Sequence, residues 1–296
     1  ITGGTVELAA AGTQSVDMTA ASDLTLNNFT VKTSGTKSFT TNIQSLTLTG
    51  DMNIEGSAVF DPLYSGFLLD IQGDWSSYDE GGFTETGVTV SFSGTTQQTI
   101  TTTGGETFAN MEISNSSADG VALGSDLTIS EEIDLGTNGV LKPGATARTI
   151  TVSSDAANAL LGSDAATINL SDAAHTLNIA CASLNFSGTL TGGTSSTVNY
   201  NRTGNQTVME GADVSYASLM LSGSGIKSTD DDLSIVDFTI DGATFDAGTA
   251  NKTLTLTGNI TIENGGAMTN TLTNLDLLLD GGNNQTFRGN GVDFTF

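Results

Sequence analysis

The chain has very little positive charge. It carries 8 Lys and Arg residues against 33 Asp and Glu residues, which gives a formal net charge of −25 over 296 residues. Proteins that bind nucleic acid or an anionic membrane surface do so through basic patches. The composition therefore excludes both classes of partner, whereas carboxylate-rich turns favour solubility and permit binding of divalent cations.

Cysteine and long apolar runs are equally scarce. The single cysteine, Cys181, excludes an internal disulfide framework, and its position two residues after Ile179 predicts a small buried side chain on a strand. No run of ~20 apolar residues occurs, so the sequence predicts no membrane span. The chain opens on a repeat rather than on an initiator Met or a signal peptide, which indicates a processed protein or a piece of a longer one.

Proline is almost absent, with 2 residues, whereas glycine is plentiful, with 36. Thr, Ser and Asn make up much of the remainder, and Thr favours strands while Gly and Asn favour turns. Apolar-polar-apolar triplets such as Leu46-Thr47-Leu48 recur every few residues, and each places two side chains on one face and one on the other. This pattern predicts many short strands joined by tight turns.

One stretch of sequence occurs four times. Each copy reads apolar-x-apolar, then a small polar turn, then Gln, then Ser or Thr, then an apolar residue. The copies are Val6–Val16, Val90–Ile100, Val198–Val208 and Leu277–Phe287. Stacked repeats share one continuous core, so this recurrence predicts a solenoid rather than a set of independent globules.

The middle interval between copies exceeds the other two by roughly one turn of ~20 residues. The excess lies in three Ser-Asp-Ala-Ala tetrapeptides, which begin at Ser154, Ser163 and Ser171. A solenoid accepts a whole extra turn because every later strand keeps its register. Within this insertion, the Ala-rich piece Asp155 to Leu161 suggests one helical turn.

These features predict an all-β fold, a parallel β-helix with three short strands per turn. At ~20 residues per turn, residues 1–296 form a single solenoid of about 14–15 turns, with imperfect repeats starting near 6, 90, 198 and 277, the last one truncated. The alternative is a row of antiparallel β-sandwiches. The hairpin dipeptides at Asn138-Gly139, Asp241-Gly242 and Asp280-Gly281 are too irregularly placed for that alternative.

The second copy and its surroundings form a recognisable phrase. It consists of Gly73-Asp74-Trp75, Gly82-Phe83-Thr84, Thr89–Gly94, Gln98-Thr99-Ile100 and Phe108–Ile113. The phrase resembles the repeat regions of very large secreted, adhesin-like surface proteins of Bacteroidota-type bacteria, which are often exported by the type IX system. The resemblance covers nearly the whole chain, although the other copies lack the Trp. It implies an extracellular stalk or adhesive role and supplies no catalytic residues.

Enzymatic chemistry has few candidates. The Lys and Arg residues are scattered, with no two in one repeat column, and the single His, His175, is better explained as a surface or core residue than as part of a Ser-His-Asp site. Glu131-Glu132 and Asp230-Asp231-Asp232 supply adjacent carboxylates, but such runs are typical of solvated turns because neighbours on a strand face opposite sides. We therefore assign no catalytic, cofactor-binding or metal-binding residue.

Two ligand interpretations stay open beside this one. Asp230-Asp231-Asp232 lies in a turn and could hold a structural Ca²⁺ ion with help from carbonyl groups. Trp75, the only Trp, is interpreted as a large core or cap residue, with a sugar-stacking platform as the alternative.

The sequence thus predicts a non-enzymatic, acidic, extracellular β-helical rod, part of a large cell-surface protein or a self-assembling fibre. Its expected partners are further copies stacked end to end, flanking parts of a longer chain, or a surface polysaccharide. The alternative is a carbohydrate-binding or carbohydrate-active β-helix. A groove lined by aromatic and paired acidic residues would favour the alternative, and a uniform Thr, Ser and Asn surface would favour the rod.

Overall fold

The computed structural model of the chain describes residues 3–17, 23–39, 43–248, 251–269, 275–289 and 292–295. The chain divides into two compact units, Ile1–Pro143 and Gly144–Phe296. Each unit is built from parallel strands stacked as a β-solenoid, with about 12 turns in all. The predicted fold class is therefore confirmed, whereas the prediction of a single solenoid over 1–296 stays a prediction.

The first unit contains sixteen described strands and one short 3₁₀ helix, Glu80–Gly82. The strands are β1 (Thr5–Leu8), β2 (Gln14–Val16), β3 (Asp23–Leu26), β4 (Asn28–Val31), β5 (Ser34–Phe39), β6 (Ser45–Leu48), β7 (Met52–Ile54), β8 (Ser57–Phe60), β9 (Leu68–Ile71), β10 (Trp75–Ser77), β11 (Thr89–Phe92), β12 (Gln98–Thr102), β13 (Glu106–Ile113), β14 (Val121–Leu123), β15 (Leu127–Asp134) and β16 (Val140–Leu141).

The second unit contains eighteen described strands. They are β17 (Thr149–Val152), β18 (Ala157–Gly162), β19 (Thr167–Asn169), β20 (Thr176–Ile179), β21 (Ser183–Phe186), β22 (Thr189–Thr191), β23 (Thr197–Tyr200), β24 (Gln206–Thr207), β25 (Val214–Leu221), β26 (Ile226–Ser228), β27 (Leu233–Asp241), β28 (Thr244–Asp246), β29 (Lys252–Leu256), β30 (Ile260–Glu263), β31 (Ala267–Met268), β32 (Leu275–Leu279), β33 (Thr286–Gly289) and β34 (Val292–Thr295).

Strands of successive turns pair in parallel, each with its equivalent one turn later. In the first unit, Phe29 pairs in register with Met52, Met52 pairs with Trp75, and Trp75 pairs with Ile100. All four side chains are buried, so they form one column of the core. Most turns take slightly more than the ~20 residues expected from the repeat pattern, which is why the chain makes fewer turns than predicted.

The three predicted strand columns are present but uneven. The third column of the first unit consists of β2, β5 and β8, and that of the second unit consists of β24, β26, β28 and β31. At the last described strands, β33 pairs with β34 in antiparallel fashion, which departs from the parallel stacking elsewhere.

The expected helical turn at Asp155–Leu161 is wrong. Ala157–Gly162 forms strand β18, which pairs in parallel with β21. Ala159 and Leu160 are buried, and Asn158 takes a positive φ of 60° that bends the strand. Ala has the highest helix propensity, but propensity is a weak determinant of conformation, and pairing with the neighbouring turn overrides it. Among the described residues, no helix is long and apolar enough to span a membrane.

Candidate functional site

The repeated glutamine is the best-defined polar feature of the molecule. Gln98 is fully buried, and its amide nitrogen donates hydrogen bonds to the carbonyl groups of Ile71, at 2.9 Å, and of Gly73 on the preceding turn. Its amide oxygen accepts hydrogen bonds from the Gly94 N–H and from the Asn115 side chain, both at 2.8 Å. One side chain thus satisfies backbone groups on two turns. We call a repeat glutamine whose side-chain amide makes such bonds between adjacent turns an amide staple.

The staple recurs in the second unit. Gln206 donates to the Ile179 carbonyl at 2.7 Å. Gln285 donates to the carbonyls of Leu256 and Gly258, both at 2.9 Å. In the first copy, Gln14 accepts from the Ala10 N–H at 2.9 Å. Buried backbone groups need such partners, so Gln98, Gln206 and Gln285 hold adjacent turns together, whereas the Gln14 bond stays within its own turn.

Two lysines take the same role one turn after a repeat glutamine. Lys37 pairs in register with Gln14, is fully buried, and donates through Nζ to the carbonyls of Ala10 and Gly12 at 2.7 and 2.6 Å and of Ser34 at 2.8 Å. Each such ammonium group replaces the glutamine amide as a donor to the turn below.

Lys227 stands in the same relation to Gln206. It is fully buried and donates to the carbonyls of Arg202 and Gly204 at 2.7 and 3.1 Å. Burial, and secondarily the nearby Arg202 charge, lowers the pKa of Lys227 to about 8. The expectation that no two basic residues share a repeat position is therefore wrong, because Lys37 and Lys227 occupy equivalent positions.

The residues weighed for chemistry lie apart and have structural partners. His175 is buried; its Nδ1 accepts from the Arg148 N–H at 3.1 Å, and its Nε2 lies 2.8 Å from the Gly144 carbonyl, to which it donates. This satisfied core histidine fits the preferred interpretation. Cys181 is buried as predicted, but it lies between β20 and β21 rather than on a strand. Its burial raises its pKa to about 11.

Trp75 is completely buried, so the alternative of a sugar-stacking platform is wrong. Its indole N–H donates to Glu106 Oε2 at 2.7 Å, and Thr102 donates to the same oxygen at 2.7 Å. Its ring makes edge contacts with Phe83 and Phe108 at centroid distances of 5.2 and 5.1 Å. Trp75 is thus a core residue, as the first interpretation had it.

The two acidic runs are exposed. Glu131 and Glu132 lie where β15 shifts register against β13, and Glu131 accepts a hydrogen bond from Asn110 at 3.0 Å. In the other run, the backbone N–H groups of Asp230 and Asp231 donate to one oxygen of Glu210 at 2.6 and 3.1 Å. Within the described ranges, no three His, Cys, Asp or Glu side chains are arranged to hold a metal ion.

Among the described residues, two of the surface grooves are places where a ligand could lie. The first, of about 340 Å³, belongs to the first unit and is lined by Ile43, Gln44, Tyr64, Ser65, Gly66 and Phe67. The second, of about 410 Å³, belongs to the second unit and is lined by Gly211, Ala212, Val214, Asp231, Asp232, Leu233, Ser234, Thr253 and Thr255. The first holds two aromatic residues, Tyr64 and Phe67, without carboxylates, and the second holds carboxylates without an aromatic residue.

Comparison of the chain with family models, with curated proteins and with solved structures finds no match. The functional argument therefore draws on the sequence and on the geometry of the described residues. Sequence reasoning found the glutamine of the repeat but missed its role, because the bonds it makes reach residues a full turn away. The spacing between Gln14 and Lys37 resembles that between Gln206 and Lys227. This similarity was the sequence signal that could have identified the two lysines as equivalent.

Proposed function

We propose that this chain is a structural and adhesive shaft of an extracellular, cell-surface protein. One observation carries the proposal: three of the four repeat copies form the amide staple through Gln98, Gln206 and Gln285, while the middle residues of the repeat strands differ. The middle residues of the repeat strands are Glu7, Ser91, Asn199 and Leu278. A repeated binding or catalytic site would instead repeat its outward chemistry, so the repeats serve the stacking of turns.

The resemblance of the repeat phrase to secreted adhesin-like proteins supports the location at the cell surface. The acidic composition supports it further, since a net charge of −25 favours solubility. In this role the protein acts mechanically: it presents outward side chains along stacked turns, and weak contacts add up when many are presented together.

An enzymatic function finds less support. A glycoside hydrolase needs two carboxyl groups beside the bound sugar, and sugar sites commonly add an aromatic platform. In the described part of the chain, neither groove combines paired carboxylates with an aromatic side chain. We therefore propose a non-catalytic protein.

The test of the proposed location uses an antibody raised against the purified chain. Immunogold labelling of intact source cells is expected to decorate the outer surface, and brief protease treatment of intact cells is expected to remove the label. Labelling that appears only after the cells are broken open would contradict a surface role.

End-to-end stacking is a second version of the same function, with a second copy as the partner. Leu277 and Leu278 of β32 are 42% and 49% exposed, and β32 pairs with β29. Exposed leucines on a strand favour association with another sheet edge. Sedimentation velocity over a range of concentrations is expected to show larger species that a Leu278→Lys variant abolishes, and a monomer at every concentration would rule stacking out.

A further inference from the structure

The loop between β8 and β9 departs from the regular shaft. Leu63 takes a positive φ of 66°, which is rare for a residue with a branched side chain, yet the side chain is 56% exposed. The Leu63 N–H donates to the Asp61 carboxylate at 2.9 Å, and Pro62 is buried. Gly66 donates to the Gly87 carbonyl at 2.6 Å, which ties the far end of the loop to the next turn. The loop is therefore held in one shape.

This loop forms one wall of the first groove. Ile43 and Phe67 are fully buried and form an apolar floor, while Tyr64 is half-buried and Gln44 and Ser65 are exposed at the rim. Among the described residues, the Tyr64 hydroxyl, the Gln44 amide and the Ser65 hydroxyl have no hydrogen-bond partner. A preorganised groove of about 340 Å³ with an aromatic ring, an apolar floor and unpaired polar groups has the composition of a small-molecule site.

The chemistry of the lining selects the ligand class. An aromatic ring packs on the C–H face of a sugar, while amide and hydroxyl groups both donate to and accept from its hydroxyls. The groove lining holds no charged side chain. The chain as a whole carries a strongly negative net charge, so an anionic sugar would be repelled.

We propose that the groove formed by Gln44, Tyr64 and Ser65 binds one or two units of a neutral saccharide chain. Tyr64 is the platform, and Gln44 and Ser65 hold the sugar hydroxyls. The proposal gives the adhesive shaft a ligand and rests on that proposed function.

Calorimetric titration of the purified chain with neutral hexasaccharides tests the proposal. The probes are cellohexaose, maltohexaose and mannohexaose, with hexagalacturonate as the anionic control. A groove with a single platform predicts weak binding, with a dissociation constant on the order of 0.1–1 mM for at least one neutral probe. Hexagalacturonate is expected not to bind.

Tyr64→Ala is expected to weaken binding about tenfold or more, since aromatic anchors dominate small sites. Tyr78→Ala is the matched control, because Tyr78 is 65% exposed and lies outside the groove, and it is expected to leave the affinity unchanged. Gln44→Ala is expected to cost about fivefold through its lost hydrogen bonds, and it provides an independent variant if Tyr64→Ala alters the loop.

Three results would overturn the proposal: no neutral probe bound at about 10 mM, equal weakening by Tyr64→Ala and Tyr78→Ala, or binding of the anionic probe alone. None of them depends on surface location, which the antibody labelling measures separately. Failure of the groove with surface labelling intact would leave the shaft without this ligand, and failure of both would reject the adhesive role altogether.

Discussion

The two units use the same staple but differ in what coats their outer strands. In the first unit, one outward column places Asp70, Ser91, Glu112 and Asp134 on successive turns. In the second unit, a comparable column holds Thr151, Asn178, Asn199, Met220, Thr239 and Thr261. There, Asn199 donates to Asn178 at 3.2 Å, so amides rather than carboxylates stack.

The cores differ as well. Ring contacts in the first unit run from Phe29 through Phe60, Phe83 and Trp75 to Phe108, with centroid distances of 5.1–6.1 Å. The second unit stacks mainly aliphatic residues, such as Ile150, Leu177, Val198 and Leu219. The difference shows that stacking of turns tolerates wide change inside and outside, provided the staple is kept, so any specific binding must reside in the outward side chains and loops.

The core comparison gives the largest expected effect. Trp75→Ala should destabilise the first unit by about 4 kcal/mol, because it leaves a cavity and removes the indole donor from buried Glu106. Leu219→Ala in the second unit should cost about 3 kcal/mol. Urea unfolding followed by circular dichroism measures both. A loss for Trp75→Ala below that for Leu219→Ala would contradict the aromatic account of the first core.

The staples should rank by the number of bonds they make. Gln98→Ala removes four hydrogen bonds, although the Ile71 carbonyl keeps the Ser93 N–H and the Asn115 amide keeps the Thr96 carbonyl. It is expected to cost about 2–3 kcal/mol. Gln206 makes only two such bonds: it donates to the Ile179 carbonyl and accepts from the Arg202 N–H at 3.4 Å. Gln206→Ala should therefore cost about 1–2 kcal/mol. Gln97→Ala, at the exposed neighbouring position, should change stability by less than ~0.5 kcal/mol. Equal effects at positions 97 and 98 would refute the staple.

The buried ammonium group of the second unit should show in the pH dependence of stability. The Lys227 pKa of about 8 lies below its ordinary value of 10.5. Between pH 8 and pH 10.5, the Lys227 amine is protonated in the unfolded chain but has lost its proton in the folded chain. The free energy of unfolding therefore rises with pH over this range. The gain from pH 8 to pH 9 should be roughly 1 kcal/mol and should vanish in Lys227→Met but persist in Lys252→Met. A slope that survives Lys227→Met would assign it to another group.

The range from pH 8 to pH 9 lies below the pH at which the buried tyrosines lose their protons. Burial raises the pKa of both Tyr200 and Tyr216, whose hydroxyls lie 3.1 Å apart in the core of the second unit. A raised tyrosine pKa withdraws stability as the pH climbs above the ordinary tyrosine value near 10. Measurements at pH 8 to 9 therefore isolate the lysine.

The outer columns should give the smallest effect. Burial first, and then the charges of Asp134 and Asp70, raise the pKa of Glu112. Because the folded chain holds the Glu112 proton more tightly than the unfolded chain, stability falls as the pH rises and the carboxyl group ionises. Glu112→Gln should therefore stabilise the first unit at pH 7 by about 0.5 kcal/mol, and it should give no gain below pH ~4, where the carboxyl group is protonated in both states. Conversely, Asn199→Asp places a carboxylate in the outer column of the second unit and should destabilise that unit at pH 7. Thermal unfolding at both pH values checks the sign, and a stability loss for Glu112→Gln at pH 7 would contradict it.

Much of the fold could be predicted because it is periodic. The apolar triplets and the four repeat copies indicate stacked parallel strands, and the burial of Trp75 and Cys181 follows from their place in that pattern. The strand β18 could not be predicted, because its Ala-rich sequence has no strand preference and pairing with β21 decides its conformation.

The candidate site was less predictable for a different reason. The groove joins Gln44 on one turn to Tyr64 on the loop of the next, and its shape depends on the positive φ of Leu63, which no residue type signals. Likewise, the donor role of Lys37 depends on carbonyls a whole turn away. Periodicity predicts which residues point inward, but not which polar groups meet there.

The most direct test of the central claim exchanges the two donors that the chain itself uses. Lys37 reaches carbonyls of the preceding turn much as Gln98 does, so Gln98→Lys should retain more stability than Gln98→Leu, which keeps the volume but loses every hydrogen bond. We expect Gln98→Leu to lose about 2–3 kcal/mol in urea unfolding and Gln98→Lys clearly less. If Gln98→Leu proves the more stable variant, burial of apolar surface rather than the amide staple holds these turns together.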